Sequence, residues 1–157
     1  MDIARHLVDV LGVDIGAQGK RNASHHGNYQ SAVHELTSGR HWWHVAEALP
    51  DLIKKGAYLE VRDSNGRTPL HLSCGSFRVE VQFCREAAKV LIENGADINA
   101  IDDHSCTFLS MVGDDVLLVK KLIVNGSNVN AAAVFRATKL MQVEILELLL
   151  FQDDVCL

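Results

Sequence analysis

The sequence predicts an all-α protein built from repeated pairs of helices, and three features carry that expectation. A seven-residue pattern with glycine in second place returns along the chain, an apolar stretch precedes each copy, and the composition suits a helical core. Of the 157 residues 48% are hydrophobic but only 6% aromatic, and the two prolines are Pro50 and Pro69. That leaves Leu, Ile, Val and Ala to fill the interior.

The clearest copies are Asn94-Gly95-Ala96-Asp97-Ile98-Asn99-Ala100 and Asn125-Gly126-Ser127-Asn128-Val129-Asn130-Ala131. Looser ones are Lys55-Gly56-Ala57-Tyr58-Leu59-Glu60-Val61 and Leu11-Gly12-Val13-Asp14-Ile15-Gly16-Ala17. The apolar stretches before them are 3–11, 46–53, 87–92 and 116–124. In each copy the glycine stands where a helix ends and the chain must turn through a left-handed backbone angle.

One unit is followed by Asp63-Ser64-Asn65-Gly66-Arg67-Thr68-Pro69-Leu70-His71-Leu72. Asn65-Gly66 signals a tight turn. Thr68 suits a helix N-cap, and Pro69 suits the first turn, where its missing N–H costs nothing. This T-P-L-H run resembles the ankyrin signature. The resemblance implies a solenoid of stacked helix-turn-helix units with short β-hairpin fingers, in which His71 stiffens the unit by bonding to nearby backbone. Laid along the chain, it makes 1–157 a single domain. Residues 1–18 form a partial N-terminal cap, 27–61 a first repeat opening on Ser31-Ala32-Val33-His34, and 62–100 and 101–131 the second and third. Residues 132–157 are a degenerate, finger-less fourth. Gly56, Gly95 and Gly126 lie 39 and then 31 residues apart, against a family period of about 33.

Several stretches depart from the pattern. Gly19 to Tyr29 reads as a polar loop. Pro50 falls inside an expected helix, where proline costs about 3 kcal/mol, so a kink or a fresh helix starting there is expected. Residues 77–83 alternate apolar and polar, which predicts either an extended inter-helix loop or a protruding contact element. At the C-terminal end Ile145, Leu146, Leu148, Leu149, Leu150 and Phe151 leave little polar surface. That helix either lies flat on the third repeat or pairs with another chain, as in a homodimer, or with further sequence.

The net charge of -5, with basic residues scattered, argues against nucleic acid as a partner. No stretch approaches the ~18 apolar residues that cross a bilayer, and charges interrupt Met1 to Leu7, so neither a membrane role nor a signal peptide is expected. Cys74, Cys84, Cys106 and Cys156 form no C-x-x-C pair and read as reduced thiols of a cytoplasmic or nuclear protein. Five histidines cluster at His25, His26, His34, His41 and His44. They could hold zinc with a cysteine such as Cys74 in a metal-binding enzyme, but the spacings match no ligand frame, and neither metal nor cofactor is expected. No nucleophile elbow, P-loop or dinucleotide fingerprint is present, and the Asp-Asp pairs suit turns and helix starts. An enzyme is not expected.

The resemblance implies a protein-binding module, free-standing or part of a larger scaffold or regulatory protein. Family members bind partners on a concave face of finger tips and first helices. Carried onto this sequence, the fingers contribute Arg62, Ser64, Asn65 and Arg67, then Ile101, Asp103, His104 and Cys106, with Ser76 and Asp114 extending the face. Trp42 and Trp43, about 100° apart if helical, supply one candidate hot-spot anchor unless one packs inward and the other covers a loop. The resemblance also makes Asn99 a candidate for asparaginyl hydroxylation, beside a structural role across the turn. The alternative is self-association through the apolar C-terminal helix.

Overall fold

A computed structural model of the protein describes residues 32–37, 45–73, 81–112 and 115–151. The helices are α1 (Ala32–Thr37), α2 (Val45–Lys54), α3 (Pro69–Leu72), α4 (Val81–Glu93), α5 (Phe108–Met111), α6 (Val116–Val124), α7 (Ala131–Lys139) and α8 (Val143–Leu150). No residue among those described is in a β-strand. The chain divides into two compact units, Met1–Asp97 and Ile98–Leu157.

Each unit is a two-layer stack. In the first, α1 packs on α3 and α2 on α4, and the pairs α1/α2 and α3/α4 close the layers on each other. In the second, α5 packs on α7, α6 on α8, and α7 on α8. The sequence places one apolar stripe on each element to fill these seams. Leu36, Leu49, Leu52, Leu70 and Leu91 are buried in the first unit; Phe108, Leu122, Val119, Ile145 and Leu149 are buried in the second.

The repeated glycines do what their position demands. Gly56, Gly95 and Gly126 have φ of +85°, +87° and +84°. Around each, the backbone closes the same pair of bonds, such as Gly95 N–H to Ile92 O and Ala96 N–H to Leu91 O, both at 3.0 Å. Among the described residues, two non-glycine residues adopt the same region, Ser105 at +59° and Met141 at +54°. Met141 ends α7 with the equivalent bonds, to Thr138 O from its own N–H and to Ala137 O from Gln142 N–H.

Two expectations change. The helix α2 runs on through Pro50, so no new helix starts there. Residues 81–83, expected in an extended segment, begin α4; the apolar stripe that binds α4 to α2 outweighs the short alternation. The fourth helix pair begins at once, because Asn130 caps α7 by accepting the Ala133 N–H at 3.0 Å. The loop 19–29, the stretch 77–80 and the N-terminal cap lie outside the described residues.

Candidate functional site: two aspartate-centred fingers

The loop 62–67 in the first unit and the loop 101–106 in the second share one construction. Asp63 and Asp102 start the turns. The N–H of each pairs with a carbonyl four residues on, Arg67 at 2.9 Å and Cys106 at 3.0 Å, and the carbonyl of each accepts the N–H of Gly66 or Ser105 at 3.0 Å. The side chain then locks the tip. Asp63 Oδ1 accepts the N–H of Asn65 and Arg67, both at 2.9 Å, and Asp102 Oδ1 accepts those of His104 at 2.9 Å and Cys106 at 2.8 Å. Gly66 and Ser105 take the positive φ that such a turn requires. These are fingers of hairpin connectivity closed by a single backbone pair, too short for a strand ladder.

The first finger carries extra bracing. Arg67 reaches back to Asp63 Oδ2 with Nε at 2.9 Å and a terminal nitrogen at 2.7 Å, while Arg62 donates to Gly66 O at 2.8 Å. Burial by itself raises the Asp63 pKa, but the hydrogen bonds from Arg67 and Asn65 outweigh it and hold the carboxyl below its ordinary value. The second finger has no such arginine: its carboxylate is bonded by backbone alone in the bonds described.

Behind each finger a short helix opens on a buried threonine. At Thr68 the backbone N–H and the hydroxyl both donate to His71 Nδ1, at 3.2 and 2.8 Å, which leaves the ring proton on Nε2. At Thr107 the histidine is replaced by Ser110, whose hydroxyl donates to Thr107 O at 2.7 Å. His34 stands one helix pair earlier and donates from Nε2 to Arg67 O at 3.0 Å, tying α1 to the finger. Burial lowers the His34 pKa; the Arg67 carbonyl and the Asp63 carboxylate offset this only in part. A ring nitrogen so engaged is a structural tie rather than a free metal ligand.

The turns between helix pairs are bridged in a similar way. Glu60 accepts the Asp97 N–H at 2.8 Å within the first unit. In the second, Asn99 accepts the Asn128 N–H at 2.6 Å and donates to Gly126 O at 3.0 Å. Both ends of the Asn99 amide are engaged, which gives it the structural role across the turn.

Of the candidate recognition residues, Arg62, Ser64, Asn65, Ile101, Asp103 and His104 are exposed, while Arg67 and Cys106 are half-buried. Each unit thus gathers its own four at one tip. Trp42, Trp43, Ser76 and Asp114 lie outside the described residues, as do His25, His26, His41, His44 and Cys74. No group of three or more His, Cys, Asp or Glu is placed to hold a metal among the described residues. A hollow in the second unit, lined by Leu109, Val119, Ile145, Arg136 and Gln142, holds about 10 Å³, room for about one water. Arg136 Nε is buried without a hydrogen-bond partner. None of the described helices is long and apolar enough to cross a membrane. What sequence reasoning missed is the role of Asp63 and Asp102, because an aspartate three residues ahead of Gly66 or Ser105 does not by itself mark a side-chain-closed turn.

The ankyrin repeat family model matches residues 65–103, a span that runs from one finger tip through the T-P-L-H helix and α4 into the next finger. The match supports a divergent ankyrin-repeat protein. Among relatives, it is 35% identical over 89 residues to B-cell lymphoma 3 protein homolog of Mus musculus, covering 54% of this chain and 18% of that protein. It is 33% identical over 92 residues to NF-kappa-B inhibitor alpha of Mus musculus and of Rattus norvegicus, covering 55% of this chain and 27% of each. The chain spans less than a third of the length of these curated relatives.

Proposed function

We propose that this ankyrin-repeat chain is a protein-recognition module without catalytic activity, acting in the cytoplasm or nucleus, whose finger tips contact a protein of the NF-kappa-B class. The observation that carries the reading is the pre-organised tip: one aspartate fixes each turn through backbone bonds while Arg62, Ser64, Asn65, Ile101, Asp103 and His104 stay exposed. Such a surface binds with little ordering cost. The class of partner follows the printed name of two relatives, NF-kappa-B inhibitor alpha.

The test is calorimetric titration of the full chain with a purified NF-kappa-B subunit, using wild type, Arg62→Ala and Ile101→Ser. Binding weakened at least about tenfold, or about 1.4 kcal/mol, by either substitution supports the reading. Binding indifferent to both removes the fingers from the interface. No binding at all overturns the partner class.

A further inference from the structure

In the second unit, two neighbouring helices turn outer faces to solvent that are apolar in part and opposite in charge. On α6, Leu117, Lys120, Lys121 and Val124 lie within about 100° of arc at 3.6 residues per turn. All four are exposed, Leu117 at 66% and Val124 at 68%, while the buried Val119 and Leu122 point the other way. On α8, Val143, Glu144, Glu147 and Leu150 fall within about 120°. These are exposed too, with Val143 at 66% and Leu150 at 57%, and Phe151 continues the patch; Ile145 and Leu149 face inward. The corresponding helix of the first unit, α4, exposes Arg85, Glu86, Lys89 and Glu93, an ordinary polar face.

The two helices pack side by side in one layer, yet among the described residues neither lysine forms an ion pair with either glutamate. A basic strip and an acidic strip, each carrying two exposed aliphatic side chains, therefore lie next to each other unused. A surface with that pattern is complementary to itself: a two-fold axis between the strips lays α6 of one copy on α8 of the next, and the reverse.

We propose that the α6–α8 face is a homodimer interface, its occupant a second copy of this chain. The apolar side chains leave water at its centre, and Lys120 and Lys121 meet Glu144 and Glu147 of the other copy around them. The proposal is independent of the finger reading, since it uses neither loop.

The test is sedimentation equilibrium on the full chain in three forms: wild type, Lys120→Glu/Lys121→Glu, and Glu144→Lys/Glu147→Lys. Wild type is expected to dimerise with concentration. Each double variant alone, now carrying like charges on both strips, is expected to dissociate at least about tenfold more readily. Mixed one to one, the two variants are expected to form a heterodimer, because every strip again meets its opposite. All four side chains are exposed, so unchanged circular dichroism is expected to show the fold intact, and recovery in the mixture shows it directly. A wild type that stays monomeric overturns the proposal. So does a dimer that survives both double substitutions, or a mixture that fails to associate.

Discussion

Replacing Asp102 measures how far one carboxylate holds the second finger. Its Oδ1 accepts two backbone N–H groups, at 2.9 and 2.8 Å, and the residue is only 6% exposed. Hydrogen bonds to a charged acceptor contribute about 1.5–3 kcal/mol each, and neutral ones about 0.5–1.5. His104 lies at the surface and can turn its freed N–H to water, so the lower end of the charged range applies. Asp102→Ala is expected to cost about 3 kcal/mol. Asp102→Asn keeps an oxygen in the same place and both bonds at neutral strength, so it is expected to cost about 1 kcal/mol. Urea unfolding followed by circular dichroism reads both, provided the slope stays constant; amide exchange at His104 and Cys106 reads the tip itself. Equal losses for Ala and Asn, or an Ala variant within about 0.5 kcal/mol of wild type, would refute the reasoning. Asp63→Asn gives an internal comparison. It also removes the ion pair to Arg67, whose side chain is 33% exposed, so at most about 1 kcal/mol is added to its loss.

Two further predictions concern backbone and pH. Ser105→Gly and Met141→Gly are each expected to raise stability by up to about 1 kcal/mol, because their φ of +59° and +54° strain any side chain, while Gly95→Ala is expected to cost about 1 kcal/mol from φ alone, nothing lying within 4 Å of the added Cβ; the same urea titrations check all three. His34 is expected to make the fold less stable as pH falls below about 6.5, since its folded pKa lies under the unfolded value. Above that range the ring is neutral in both states and the contribution is complete; it is lost as pH drops through the depressed folded value, and a His34→Gln variant measured from pH 7 to pH 5 is expected to show the shallower slope.

The parts of the fold that could be read from the sequence are those where one residue type has one physical task. Glycine at the helix end, threonine before proline, and the leucine stripes each point to a local conformation, and Gly56, Gly95, Gly126, Thr68 and the buried leucines stand accordingly. What could not be read depends on neighbours. The alternation at 77–83 suggested an extended chain, yet 81–83 are helical because α4 gains a packed stripe against α2. Pro50 suggested a kink or a fresh helix, and α2 runs through it without a new start. At the site, the tip residues followed from the family resemblance, whereas the aspartates that organise the tips did not. An aspartate in a polar loop has no distinctive pattern until both of its acceptor bonds are seen.

Comparing the two fingers separates scaffold from surface. The bonds of Asp63 recur at Asp102, those of Gly66 at Ser105, and the threonine-capped helix at both, although the residue behind the cap changes from His71 to Ser110. The outward side chains differ in kind: Arg62, Ser64 and Asn65 on one tip, Ile101, Asp103 and His104 on the other. A turn held by backbone and one buried carboxylate places no demand on what its tip displays. The tips are therefore free to vary in charge and apolarity while their geometry stays constant, and that independence lets a chain with so irregular a repeat keep the same loop construction in each unit.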